Sequence, residues 1–190
     1  MDELVIRALS PVLLEDYLSF FDHDAFTDNP EWASCYCHFY YAPHQLKEWG
    51  ARTGEENRGA VSALIGARRM YGYLAYVEGR PVAWCHAAPH TGIPNLQDSE
   101  ELRVDDADRV GAIVCFVVAR PYRRAGIAGR LLEAACRGFR RQGLAIAEAY
   151  PRTGTDADAA NYHGPAQMYF AAGFTPFREF DDFLIVRKLL

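Results

Sequence analysis

The densest chemical signal in this 190-residue chain is the run Arg123-Arg124-Ala125-Gly126-Ile127-Ala128-Gly129. Before it lies a continuous apolar stretch, Ala112 to Val118, of the length and composition of a strand buried on both faces, with Pro121 beyond its end. After it comes an amphipathic stretch, Gly126 to Gln142, with Ile127, Leu131, Ala135 and Phe139 on one helical face and Gly143 as its stop. A strand that feeds a short basic turn opening directly into a helix exposes N–H groups with no intrahelical partner, and the helix dipole adds partial positive charge there. Small residues at Ala125, Gly126, Ala128 and Gly129 let an anion approach that backbone. Arg123 and Arg124 add cationic charge. The chemistry on offer is pyrophosphate binding, with an ordinary strand–turn–helix carrying a basic surface as the plainer alternative. Two other phosphate loops are excluded. The G-x-x-x-x-G-K-[ST] pattern is missing, and G-x-G-x-x-G would need a glycine where Arg124 stands.

Around this loop the patterns alternate between strand and helix. Leu4 to Leu9 reads as an edge strand, and Ser10-Pro11 opens a helix that turns Leu13, Leu14, Tyr17 and Leu18 inward. Glu55 to Arg69 is helical, with Val61, Leu64 and Ile65 in register. Met70 to Val77 and Pro81 to Ala88 form a hairpin about Glu78-Gly79-Arg80. A long loop is expected from Pro89 to Arg109. Leu144 to Tyr150 is a further strand, and a polar run from Arg152 to Asn161 leads to a short helix near Ala166 to Ala172. Strands Phe174 to Phe180 and Phe183 to Leu189 complete the order. That order is α/β, one sheet with helices against it, in a chain of single-domain length.

Composition narrows the function classes. Half the residues are apolar and 24% are charged, which is globular. The formal net charge of −5 argues against a nucleic-acid partner. No apolar run reaches membrane-spanning length, and the acidic start MDELVIRALS lacks a signal-peptide layout, so a cytoplasmic location is expected. Five cysteines, an odd number with three inside apolar stretches, fit a reducing compartment better than a disulfide framework.

The phrase Arg123-x-x-Gly126-x-Ala128 after a buried strand resembles the R/Q-x-x-G-x-G/A motif of the GNAT superfamily of acyl-CoA-dependent N-acetyltransferases. A second stretch, Ala166-Gln-Met-Tyr169-Phe-Ala-Ala-Gly173-Phe174, is similar to the family's A-x-x-x-Y-x-x-x-G-F helix and following strand. Together the two cover roughly residues 112–180. The resemblance implies one N-acetyltransferase domain over residues 1–190, with a helical acceptor-side region at 1–69 and the sheet and donor core at 70–190. Its central sheet would be mixed, mostly antiparallel, and splayed at the donor strand. The acyl donor would be acetyl-CoA. Its pantetheine arm would pair with backbone near Phe116, Val117 and Val118, and its diphosphate would sit on amides from Arg124 through Ala125, Gly126, Ile127, Ala128 and Gly129. Asn161 stands near a family CoA contact, one residue farther from Tyr169 than usual. Tyr169 would protonate the departing thiolate.

The base that must deprotonate the amine has several candidates. Many relatives carry a carboxylate on the central strand, but Ala112 to Val118 has none. Glu148, inside the apolar run Leu144 to Ala149, is the substitute, with His163 and His86 as rivals and a water chain as the base-free option. Trp32, Tyr36, Phe39, Tyr40 and Tyr41 lie where relatives build the acceptor wall, though they also suit simple packing. The acids Glu100, Glu101, Asp105, Asp106 and Asp108 could draw a cationic amine or merely solvate a loop. Cys35-Tyr-Cys37-His38 has the wrong spacing for a zinc pair, so no metal is expected, and no feature of the sequence marks any thiol as activated. The expected acceptor is a primary amine on a small molecule, and a homodimer is compatible with the chain. The competing readings are a peptide N-acetyltransferase and a catalytically silent acyl-CoA-binding regulatory domain.

Overall fold

Glu78 and Gly79 both take left-handed φ values, 50° and 77°, the turn geometry that folds two twisted strands onto one another. It joins β2 (Gly72–Val77) to β3 (Arg80–Pro89), and the remaining strands assemble around this hairpin. The computed structural model describes residues 3–42, 46–154 and 161–190. In it β1 (Leu4–Ala8) pairs with β2, and β4 (Val110–Val118), β5 (Ile146–Ala149), β6 (Thr175–Glu179) and β7 (Leu184–Leu189) complete one sheet in the order 1-2-3-4-5-7-6. Only the β4–β5 pair is parallel. The expected open, mostly antiparallel α/β sheet is what forms.

Helices cover both faces. On one lie α1 (Leu14–His23) and α3 (Gly54–Gly66), whose Tyr17, Phe20, Val61 and Ile65 pack with Trp84, Ala112 and Val114 of the sheet. Thr53 and Glu56 form a capping box at the start of α3, and Arg68, at a φ of 56°, keeps the helix from running on to Arg69. Short α2 (Leu46–Gly50) precedes it. On the other face lies α5 (Ile127–Arg141), whose Leu131, Ala135 and Phe139 pack on Cys85, Ile113 and Ala147. Gly111 lets the Phe139 ring lie directly on β4, because a Cβ there would overlap it. The long loop expected from Pro89 to Arg109 is more ordered than its composition suggests: it holds α4 (Pro94–Asp98) and two single 3-10 turns. α6 (Ala166–Ala171) completes the helices. Of the polar run from Arg152 to Asn161, residues 155–160 lie outside the described residues.

Two irregularities in β4 prepare the site. Against β3, Cys115 pairs with His86 and Ile113 with Ala87, so Val114 is an extra residue and the strand bulges. Against β5, only Val110 to Ile113 pair; β5 ends at Ala149 while β4 runs on to Val118. The strands part beyond that point.

Candidate functional site

A cavity of about 410 Å³ opens where β4 and β5 separate. Phe116, Val117 and Val118 form its strand end, and Arg123, Arg124 and Gly126 to Gly129 form its helix end. Asn161, Tyr162 and Trp32 close its sides. Every residue expected to hold the donor lines this space except Ala125, which sits within the same turn.

At the helix end, Arg124 and Gly126 lie at left-handed φ values of 60° and 78° on either side of Ala125. The first amide of α5 to find a carbonyl is that of Arg130, on Gly126 at 3.2 Å. Among the described residues, no acceptor is recorded for the N–H groups of Ile127, Ala128 and Gly129. A Cβ added at Gly126 or Gly129 would meet nothing within 4 Å. This is an open cradle of donors at a helix N-terminus, suited to a diphosphate.

Arg123 lines the cavity and also has partners within the chain. Its guanidinium grips Asp28 at 2.6 and 2.9 Å and donates through Nε to the Val118 carbonyl at 3.0 Å. The hydrogen bond from Arg123 holds the Asp28 carboxyl below its ordinary value. Arg123 thus ties the segment after α1 to the end of β4, and sequence spacing could not show that pairing across 95 residues. The strand end is also occupied: the Phe116 N–H donates to the Tyr162 carbonyl. The Tyr162 ring packs on Trp32 with centroids 5.4 Å apart.

Tyr169 is wholly buried on the α5 face, edge-on to Phe174, and its hydroxyl donates to the His163 carbonyl. Burial raises its pKa well above the ordinary phenol value, so it carries its proton at neutral pH. The hydroxyl lies beside Gly164, a residue of the cavity wall. Glu148 is likewise fully buried, but on the opposite face and away from the cavity lining. Tyr150 donates to one of its oxygens and Arg187 to the other, both at 2.6 Å, and Arg187 also grips Asp106 at 2.9 Å through two nitrogens. Glu148, expected as the substitute base, is therefore the centre of an internal ion-pair network. Asp106, one of the acids that could draw an amine or merely solvate a loop, is held in the same network.

His163 has its Nδ1 buried without a partner among the described residues, and burial pulls its pKa down to about 3. His86 stands between Cys37, with Nδ1 3.4 Å from Sγ, and Tyr41, with Nε2 3.1 Å from the hydroxyl. Tyr40 donates to the carbonyl of the bulged Val114 at 2.7 Å. The aromatic block is thus divided: Trp32 faces the cavity, while Tyr36 and Tyr40 are built into the core.

The model of the acetyltransferase (GNAT) family matches residues 13–163. The chain belongs to the GNAT acetyltransferase family. Its domain is that of an acyl-CoA-dependent N-acetyltransferase, and the family's donor is acetyl-CoA. Solved GNAT folds superpose along its length. An acetyltransferase of the GNAT family from Streptococcus pneumoniae is 16% identical with a TM-score of 0.57, covering 99% of this chain and 100% of that one. PaiA N-acetyltransferase from Thermoplasma acidophilum, in complex with coenzyme A, is 11% identical with a TM-score of 0.58 and 99% coverage of both chains. Ribosomal-protein-alanine N-acetyltransferase from Brucella melitensis is 17% identical with a TM-score of 0.56, covering 98% of this chain and 99% of that one. No curated protein matches the chain in sequence. Among the described residues, no group of three or more His, Cys, Asp or Glu could hold a metal ion, and no helix is long and apolar enough to cross a membrane.

Proposed function

We propose that this GNAT domain transfers the acetyl group of acetyl-CoA to a primary amine on a small molecule by direct attack on the thioester. The supporting observation is the row of amides from Ile127 to Gly129, with no recorded acceptor among the described residues, beside a cavity that continues to the separated end of β4. The diphosphate would rest on the amides from Arg124 to Gly129, and the pantetheine would run toward Phe116 with Asn161 alongside. To pair with β4 it would take the Phe116 N–H from the Tyr162 carbonyl, one peptide acceptor replacing another.

Tyr169 would give its proton to the thiolate as coenzyme A leaves. A phenol that stays protonated is ready to donate, and the hydroxyl needs only to turn from the His163 carbonyl. Glu148 has one oxygen engaged by Tyr150 and the other by Arg187, and it lies away from the cavity lining. The amine would lose its proton to water, and Glu148 would fix β5 against β7. Trp32 and Tyr162, whose rings pack 5.4 Å apart, would give a compact amine an apolar surface beside the donor cavity.

Calorimetric titration with coenzyme A tests the donor site. Thiol release from acetyl-CoA across a panel of small amines and N-terminal peptides tests the acceptor. Turnover with peptides and none with small amines would replace the acceptor class, and absence of coenzyme A binding would remove the donor assignment.

A further inference from the structure

Two bonds that the donor site must give up belong to one stretch of backbone. The Tyr162 carbonyl accepts from the Phe116 N–H, and the carbonyl of the next residue, His163, accepts from the Tyr169 hydroxyl. The first bond occupies the strand amide that the pantetheine arm would take. The second occupies the hydroxyl that would protonate the departing thiolate. Neighbouring peptide units therefore hold both the place of the arm and the group that serves its sulfur. Only the two soft dihedrals of His163 lie between the two carbonyls.

The stretch is short and closes on itself. The Gly164 N–H donates to the Asn161 carbonyl at 2.8 Å, and Met168 donates to the Pro165 carbonyl at 3.0 Å where α6 begins. Asn161, Tyr162, Gly164 and Pro165 all line the cavity, so a donor lying there runs beside them. The Tyr162 ring packs on Trp32, with centroids 5.4 Å apart, and on His163, at 4.2 Å. Gly164 has a φ of 81°, and a Cβ there would come within 2.7 Å of the Met168 methyl and 3.3 Å of the Tyr169 hydroxyl. Glycine is what lets the turn lie so close to α6. The seat also carries a cost. His163 Nδ1 is buried with no hydrogen-bond partner among the described residues, and leaving the seat would relieve it. Phe116 loses nothing in the exchange, because one peptide carbonyl replaces another.

We propose that residues 161–165 form a strap that positions Tyr169 in response to the donor. Entry of the pantetheine arm displaces the Tyr162 carbonyl from Phe116, and the same movement takes the His163 carbonyl off the Tyr169 hydroxyl. The proton donor is released only when the thioester is in place. This rests on the acetyl-transfer reading, which supplies the arm and the role of Tyr169. The strap is a positioning element; Tyr169 is the group that meets the sulfur. A ligand that fills the helix end without an arm leaves the strap where it is.

The test needs no acceptor. The full-length protein is titrated with coenzyme A and, separately, with ADP, which carries a diphosphate but no arm. Calorimetry reports binding, and NMR follows the Phe116 amide and the carbonyl carbon of His163. Both signals should move along one saturation curve with coenzyme A and stay in place when ADP is bound. Tyr169→Phe removes the hydroxyl tether of the strap, so coenzyme A should bind about threefold to tenfold more tightly while ADP affinity is unchanged. A side chain that merely contacts the ligand would give the opposite sign. Equal or weaker coenzyme A binding by a natively folded Tyr169→Phe would overturn the proposal. So would a His163 signal that is unmoved by bound coenzyme A, or one that ADP moves as far. Should the variant not fold, the wild-type signals decide alone. Absence of calorimetric binding by coenzyme A would remove the donor assignment itself and the strap with it, whereas binding without release removes the strap alone.

Discussion

At the helix end of the cavity, Gly126 sits at a φ of 78° with empty space around it, and the amides of Ile127 to Gly129 have no recorded acceptor among the described residues. At the strand end, Phe116 already donates to Tyr162 and the Val118 carbonyl already accepts from Arg123. One end is open and prearranged; the other is satisfied within the chain and must exchange partners. An anion seated at the open end gains hydrogen bonds at no structural expense. A ligand entering the closed end gains only the difference between its own contacts and those it displaces. Affinity should therefore come from the helix end, and selectivity for a correctly shaped pantetheine from the strand end.

Gly126→Asp is the strongest way to break this contrast. It forces an L-residue into the left-handed region and sets a carboxylate in the diphosphate cradle. Coenzyme A affinity measured by calorimetry should fall at least about a hundredfold, about 2.7 kcal/mol. Unchanged affinity would mean that the diphosphate binds elsewhere. Next in size is Tyr169→Phe, expected to lower kcat by about tenfold to a hundredfold with little change in acceptor KM. An unchanged kcat where chemistry limits turnover would leave Tyr169 as a packing residue that anchors the His163 carbonyl.

The open end was legible in the sequence because everything that builds it is local. The strand, the basic turn, the small residues and the helix follow one another between Ala112 and Gln142, so spacing alone predicts unpaired amides at the junction. The closed end was not legible. Arg123 meets Asp28 across 95 residues, and the Tyr162 carbonyl reaches Phe116 across a strand separation that no periodicity reports. The partners of Glu148 were hidden for a related reason: Arg187 and Tyr150, which hold both its oxygens, come from pairings fixed by the whole sheet. The Cys37–His86 contact joins a left-handed turn to β3, and left-handed φ at Tyr36 and Cys37 has no residue-type signature.

Arg123→Gln sharpens the comparison. Losing the Asp28 pair and the bond to Val118 should lower stability by about 0.5 to 1 kcal/mol, since the pair is partly exposed. Coenzyme A affinity should fall by less than about tenfold, well short of Gly126→Asp. An equal loss would show that Arg123 leaves Asp28 for the diphosphate when the donor binds, making the strand end more adaptable than its contacts suggest.

The smallest expected effect is a pH dependence that originates beside the closed end. His163 has its pKa pulled down to about 3, first by burial and then by the charge of Arg152, and burial also lowers that of His90. An unfolded histidine takes a proton near pH 6.5, so as pH falls the unfolded chain binds protons that these folded imidazoles refuse. Their stabilising contribution is complete above about pH 6.5 and declines as pH falls toward the folded value. Asp22, Asp28 and Asp106 have carboxyls held low by Arg58, Arg123 and Arg187, and lose their contributions only below the ordinary carboxylate range. Urea unfolding should therefore show a loss of about 1 kcal/mol between pH 7 and pH 5, discounted because His163 as a residue is only partly buried. His163→Gln should flatten part of that slope and leave the carboxylate limb below about pH 4 unchanged. If the slope between pH 7 and pH 5 is the same in the variant, His163 titrates freely, and the segment carrying Tyr162 is looser against Phe116 than its hydrogen bond implies.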